Sequence, residues 1–342
     1  MKTKNRPLLR HLGVFAVLLI FWGSGFSASA ASLPERLVPI GKTAGIKLFA
    51  PGVIVVKLSE VETQKGKAAP AKEGGILAGD IILSVGGKEV KENAELSSAL
   101  EDRAGKKTEF VVLRGEKEKK VFVTPIEDIR GKVCIGASVR DSIAGLGTIT
   151  YYDPETETFG ALGHGICCGE GGELFPLGEG CLVPSSVVGI NKGEAGKPGE
   201  LLGVFDSNGD RGSILINSEQ GIFGELEADE LYPQSFSGDS VPLGRGIEKG
   251  KATILSNVCG ETVGCYEVEI VKIWGADRET RNFQIRVTDH ALLEATGGIV
   301  QGMSGSPIIQ NGRLVGAVTH VSVNDPSMGY GIFIENMLDA AG

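Results

Sequence analysis

Gly302-Met303-Ser304-Gly305-Ser306-Pro307 is preceded by Gly297-Gly298 and runs directly into the apolar pair Ile308-Ile309. Glycines around a serine let the backbone take positive φ and approach a bound chain closely. Such a turn also aims amide N–H groups at one point, as an oxyanion requires. One reading is a nucleophile, Ser304, with an oxyanion hole from the amides of Gly302 and Ser304. The plainer reading is a Gly/Ser-rich hairpin turn. Ser306 precedes Pro307, which holds it extended, so Ser304 is the nucleophile candidate and Ser306 supports the turn.

Outward from this turn, residues 129–342 alternate short apolar runs with Gly-rich turns, the pattern of a barrel or sandwich. The runs include 147–152, 182–190, 213–216, 252–256, 266–274, 282–287 and 314–321. That is enough chain for two small six-stranded barrels. Helical periodicity is confined to 334–341 and a turn at 290–295.

Histidine is scarce, which narrows the search for a base. Of the four, His11 lies in the N-terminal segment, leaving His164, His290 and His320. His164 stands in Gly160-Ala161-Leu162-Gly163-His164-Gly165, a strand entering a glycine-flanked turn that displays the imidazole where another group comes close. It is the general-base candidate. His320 is on the strand after the serine turn and lines a groove. A third group should orient the imidazole through Nδ1. Asp289, fifteen positions before Ser304, is the first candidate, with Asp206 and Asp210 as alternatives that read as turn formers.

The preceding segment, 33–128, reads as a separate domain. Gly52-Val53-Ile54-Val55-Val56 is a buried-strand run. Ala78-Gly79-Asp80-Ile81-Ile82-Leu83-Ser84-Val85-Gly86-Gly87-Lys88-Glu89-Val90 is a turn, a strand and a second tight turn. Asn93 caps a helix expected over 94–103. Strands over 108–113 and 119–124 complete the segment. This order resembles a PDZ domain. The resemblance implies binding of an extended peptide as an added strand, with Gly45-Ile46-Lys47-Leu48 as the loop facing its end.

Before it, Lys2, Lys4, Arg6 and Arg10 lead into the apolar run 12–22 and then Ala28-Ser29-Ala30. This describes residues 1–31 as a signal peptide or N-terminal membrane anchor, with the remainder exported. Six cysteines in an exported chain permit disulfides, and Cys259 and Cys265 bracket a turn that a bridge could close. His164, Cys167, Cys168 and Cys181 lack the paired spacing of a zinc site, so no metal or other cofactor is expected. A net charge of −9 disfavours nucleic acid as a partner.

Gly-Ala-Leu-Gly-His-Gly at 160–165, Thr288-Asp289-His290, the Gly302–Pro307 turn and Leu-Val-Gly-Ala-Val-Thr-His at 314–320 together resemble the SpoIVB sporulation peptidases. The resemblance runs from the export segment to the C-terminus. It implies a mainly β chain, a PDZ domain followed by a chymotrypsin-like double β-barrel. It maps a catalytic set onto His164, Asp289 and Ser304. It further implies self-cleavage near the N-terminus, location between mother cell and forespore, and cutting of a membrane-anchored regulatory protein. That cut frees an intramembrane metalloprotease and so a late sigma factor. Cys167-Cys168-Gly169-Glu170-Gly171-Gly172 replaces a more acidic turn of the family. The competing readings are an HtrA-like quality-control protease, in which the PDZ follows the peptidase, and a PDZ-led scaffold with an inactive barrel.

Overall fold

The computed structural model describes residues 33–168, 172–205, 209, 212–226, 239–244, 246–276, 278 and 280–342. The export segment, Asp206 and Asp210 lie outside the described residues. None of the described helices is long and apolar enough to cross a membrane.

The main strands are β1 (Arg36–Pro39), β2 (Thr43–Leu58), β3 (Ile81–Val85), β4 (Thr108–Arg114) and β5 (Lys117–Val123). Then come β6 (Ala137–Asp153), β7 (Thr158–Ala161), β8 (Glu179–Asn191), β9 (Glu200–Phe205), β10 (Gly212–Ser218) and β11 (Gly221–Leu226). The last six are β12 (Gly250–Cys259), β13 (Thr262–Ile273), β14 (Phe283–Val287), β15 (Pro307–Gln310), β16 (Arg313–Val321) and β17 (Met328–Phe333). Helices α1 (Asn93–Leu100), α2 (His290–Thr296) and α3 (Ile334–Ala341) accompany them.

Two rings of six strands form. The pairings β2–β6, β6–β7, β7–β11, β11–β10, β10–β8 and β8–β2 close the first. The second is the closed barrel β12-β13-β14-β17-β16-β15. Alternating burial explains both: β14 reads buried, half-buried, buried, exposed, buried, so one face of Phe283, Ile285 and Val287 fills the barrel. Ile46, Leu48, Ile149, Phe159, Leu182 and Ile222 fill the first barrel. Ala317, Ile332, Leu314, Tyr151, Phe223 and Met337 form a further core shared by strands of both barrels and α3.

The PDZ-like part has its own core of Val53, Val55, Ile82, Val85, Leu96, Phe110 and Val112, with α1 laid over the strands. Asp80, 1 % exposed, accepts two bonds from Arg114 at 2.6 and 2.7 Å and one from the Leu77 N–H, which fixes the turn entering β3. Asn93 is not the cap but the first helical residue. Its N–H donates to the Asp141 carboxylate of β6 at 2.8 Å.

Two long strands run through both parts. The Thr43–Phe49 portion of β2 belongs to the first barrel, while Val53 and Ile54 pair with Ile82 and Ile81 of the PDZ-like sheet. Strand β6 follows it in antiparallel register from Ala137↔Leu58 to Thr148↔Thr43. The PDZ-like part is therefore set between the first and second strands of the barrel.

One expectation fails here. Gly45–Leu48 is strand, not loop, and both its edges are taken: Gly45 pairs with Leu146 on one side and Val183 on the other, and Leu48 pairs with Ile143 and Gly180. Its amides serve the barrel, so it does not cradle a peptide end. The bridge that could close the Cys259–Cys265 turn is also absent: both are free thiols. In the β12–β13 hairpin Cys259 faces Thr262 while Cys265 faces Leu255, so register separates the two sulfurs.

Candidate active site

Ser304 and His164 line the same cavity, of about 500 Å³, between the barrels. Each arrives on a strained turn. Leu162 is a buried non-glycine residue at φ 68° and Gly163 follows at φ 68°. Positive φ at a leucine persists only where the surroundings enforce it. The glycines beside His164 have a packing reason. A Cβ at Gly163 would lie 2.9 Å from Ile332 and Thr319 of the second barrel, and one at Gly165 would lie 2.5 Å from the Ser218 carbonyl. The close neighbour is thus the other barrel at Gly163 and the first barrel's own β10 at Gly165.

On the serine side Gly302 and Gly305 take φ 95° and 97°. A Cβ at Gly305 would meet the Thr148 carbonyl at 1.9 Å, so only glycine fits. Inside the turn Met303 N–H bonds to Val300, Gly305 N–H to Val318 and Ser306 N–H to Met303. The N–H groups of Gly302 and Ser304 bond to nothing among the described residues. They are the two donors expected to hold an oxyanion, and they are free to do so. Ser306 is fully buried and donates to Ser256 at 3.1 Å, a structural role.

The Ser304 hydroxyl donates to the Thr319 carbonyl at 2.7 Å. His164 Nδ1 bonds to the Gly165 carbonyl at 2.9 Å, which makes Nδ1 the protonated nitrogen and leaves Nε2 as a lone pair. Burial lowers the His164 pKa below its ordinary 6.5, partly offset by that carbonyl bond, so the imidazole is neutral and able to accept a proton.

Asp289 does not orient His164. It caps α2: one carboxylate oxygen accepts the Leu292 N–H at 2.9 Å and the other faces the Glu267 N–H at 3.4 Å. It is not among the residues of the cavity. The reason is local, since an extended Asp immediately before a helix satisfies the orphan N–H groups of the first turn. His290, the first residue of α2, is likewise outside the cavity.

His320, expected to line a groove, does line this cavity. Its ring lies 5.1 Å from that of His164, tilted by 38°. Its place on the strand after the serine turn was the available signal. The remaining walls are mostly aliphatic, from Leu146, Pro198, Ile299, Val300, Val321 and Val323, with Arg281 at the rim. Among the described residues no group of three or more His, Cys, Asp or Glu is placed to hold a metal ion.

The sequence model of the SpoIVB peptidase S55 family matches residues 131–338, and that of the PDZ domain matches 40–124. Serine protease HTRA1 of Xenopus tropicalis is 40% identical over 58 residues, 17% of this chain and 12% of that protein. Mitochondrial serine protease HTRA2 of Drosophila virilis is 39% identical over 57 residues, 17% of this chain and 13% of that one. The match to these curated relatives therefore spans about an eighth of their length. Among solved structures, the active form of the Rv3671c protease from M. tuberculosis aligns over 59% of this chain and 75% of its own, at 13% identity and TM-score 0.34. The PDZ domain of an SdrC-like protein from Listeria monocytogenes aligns over 26% of this chain and 87% of its own, at 21% identity and TM-score 0.22.

Proposed function

The chain belongs to the SpoIVB peptidase S55 family, a PDZ-containing group of serine peptidases, and on that premise we propose that it is an exported sporulation-signalling endopeptidase. Ser304 attacks the peptide carbonyl. His164 takes the hydroxyl proton and returns it to the leaving amine, and the Gly302 and Ser304 amides hold the oxyanion until water releases the acyl group. The observation that carries this reading is the pair of unbonded N–H groups flanking Met303, in one cavity with a neutral imidazole. The aliphatic walls favour substrates with an apolar side chain beside the scissile bond.

The substrate is a membrane-anchored regulatory protein whose cleavage releases an intramembrane metalloprotease and a late sigma factor. The chain also cuts itself in its N-terminal region, and it acts between forespore and mother cell. The support is the family resemblance together with the basic and apolar segment 1–31. Purified full chain should shorten at its N-terminus on incubation and take up a fluorophosphonate. Ser304→Ala should stop both. Labelling that survives Ser304→Ala but disappears in Ser306→Ala would overturn the assignment.

The match of 58 residues to HTRA1 favours a second reading, a quality-control protease of HtrA type. Broad digestion of unfolded casein would select it, and cutting confined to a few sites would reject it.

A further inference from the structure

A row of aromatic side chains leads out of the cavity on the second-barrel side. Tyr330 of β17 is paired directly with His320 of β16, which lines the cavity, and with Gln284 of β14. Directly paired residues of an antiparallel ladder project from the same face of the sheet, so Tyr330 stands on the cavity side. Trp274, just past β13, stacks on it with 6.1 Å between ring centres and 24° between planes.

Three cations sit on these two rings. The Arg281 guanidinium lies 5.1 Å from the centre of Tyr330, and Arg278 and Lys272 lie 4.8 and 4.7 Å from that of Trp274. Contacts of this kind occur about once per 70–80 residues, so three on two adjacent rings are a concentration. Among the described residues no carboxylate lies within ion-pair distance of any of the three. Asp277 and Glu279, their neighbours in the chain, lie outside the described residues.

Of the three, Arg281 lines the cavity, and it is exposed at the rim. Its contact with Tyr330 spends none of its N–H donors, which donate to nothing among the described residues. A guanidinium in that condition presents a rigid fork that matches a planar carboxylate. Its charge is felt inside the cavity: after burial and His164, it is the third cause that holds the His320 pKa down at about 4.

We infer that Arg281 is a specificity-determining residue, receiving the carboxylate of a substrate Asp or Glu while the apolar side chain beside the scissile bond lies against the aliphatic walls. The inference rests on the peptidase reading above and deepens it. The Tyr330 ring holds the guanidinium at the rim, so little side-chain freedom is lost when the carboxylate binds. Arg278 and Lys272 draw an acidic segment towards the cavity. That matters in a chain whose net charge of −9 otherwise repels acidic peptides.

The test is cleavage of a proteome-derived peptide library by the full chain, with cut sites read by mass spectrometry. It is followed by kcat/KM for a peptide carrying Asp at the preferred position and for its Asn and Lys twins. Fluorophosphonate labelling of Ser304 reports that each variant is folded. Wild type should enrich Asp and Glu at one position close to the cut, and should favour the Asp peptide over the Asn one by roughly 10-fold. Added salt should shrink that ratio. Arg281→Gln should abolish the preference, and Arg281→Glu should turn it towards Lys. Arg286→Gln should keep it, since Arg286 lies outside the cavity and pairs with Glu269 at 3.6 Å. A wild-type library without acidic enrichment, or a preference that survives both Arg281 variants, would overturn the inference. So would an acid preference met only by a free chain end. Cuts that persist in Ser304→Ala would instead sink the peptidase reading beneath it.

Discussion

Thr148 of β6 is tied twice to the serine turn: its N–H donates to the Ser304 carbonyl at 2.9 Å and its Oγ1 to the Gly302 carbonyl at 2.7 Å. The two bonds anchor the backbone on both sides of Met303, from which the two unbonded N–H groups project. The turn is thus held by the other barrel, through a fully buried side chain. Thr148→Val keeps the shape and the N–H bond but strips the partner from Gly302. A buried acceptor left unmet costs about 1–3 kcal/mol. The urea midpoint should fall by that amount, and the Ser304 labelling rate should fall as well. Unchanged labelling would show that the turn holds itself.

Asp289→Ala removes a helix cap. A cap of this kind contributes about 1 kcal/mol, so a lower denaturation midpoint is expected, with Asp289→Asn recovering most of it because Asn caps nearly as well. Fluorophosphonate labelling of either variant, read at a temperature where both are folded, should stay near wild type. A loss in Asp289→Asn without a stability change would restore the carboxylate to the catalytic set.

These results show what was legible in the sequence. The turn at 302–307 could be read because its chemistry is local: glycine, serine and proline each act on their own backbone. The two barrels could be read from alternation, and His164 from the rarity of histidine. Asp289 could not be placed, since an Asp before a short helix looks the same whether it caps the helix or faces an imidazole. Gly45–Leu48 was misassigned for a related reason. Its pattern fits a loop beside a PDZ domain, and only long-range pairing with Leu146 and Val183 makes it barrel strand. His320 was placed in a groove, but its partner is 156 positions away in the chain and no local pattern reveals it.

The two histidines also give the fold a pH dependence of known sign. Both pKa values are lowered in the folded protein, that of His320 to about 4, against an ordinary value of 6.5. A group depressed on folding contributes stability that is present above its unfolded pKa and lost as pH falls through the folded one. Acid should therefore destabilise the chain progressively from pH 6.5 towards 4. His320→Gln, which cannot titrate, should lose less over that range than wild type, as read from urea midpoints at several pH values. The acid limb of the Ser304 labelling profile should lie below pH 6.5, because burial keeps His164 neutral there. A limb at or above 6.5 would contradict the buried base.

The shared strands β2 and β6 bear on whether the peptidase can be cut away from what precedes it. Residues 129–342 contain the whole S55 match, yet the first barrel in that fragment would lack β2. Strand β6 would lose its partner from Ala137 to Thr148, and β8 would lose its partner from Glu179 to Pro184. Ile46 and Leu48, both buried in the barrel core, would go with it. Two long unpaired edges beside an opened core favour aggregation over folding. The fragment 129–342 should be insoluble or unfold without cooperativity, and should not label with fluorophosphonate, whereas 33–342 should unfold cooperatively and label. Adding a peptide of residues 40–58 to the fragment during refolding should restore part of the labelling by filling the vacant strand position. A soluble, cooperatively folding 129–342 that labels at the rate of 33–342 would mean that the barrel closes without β2.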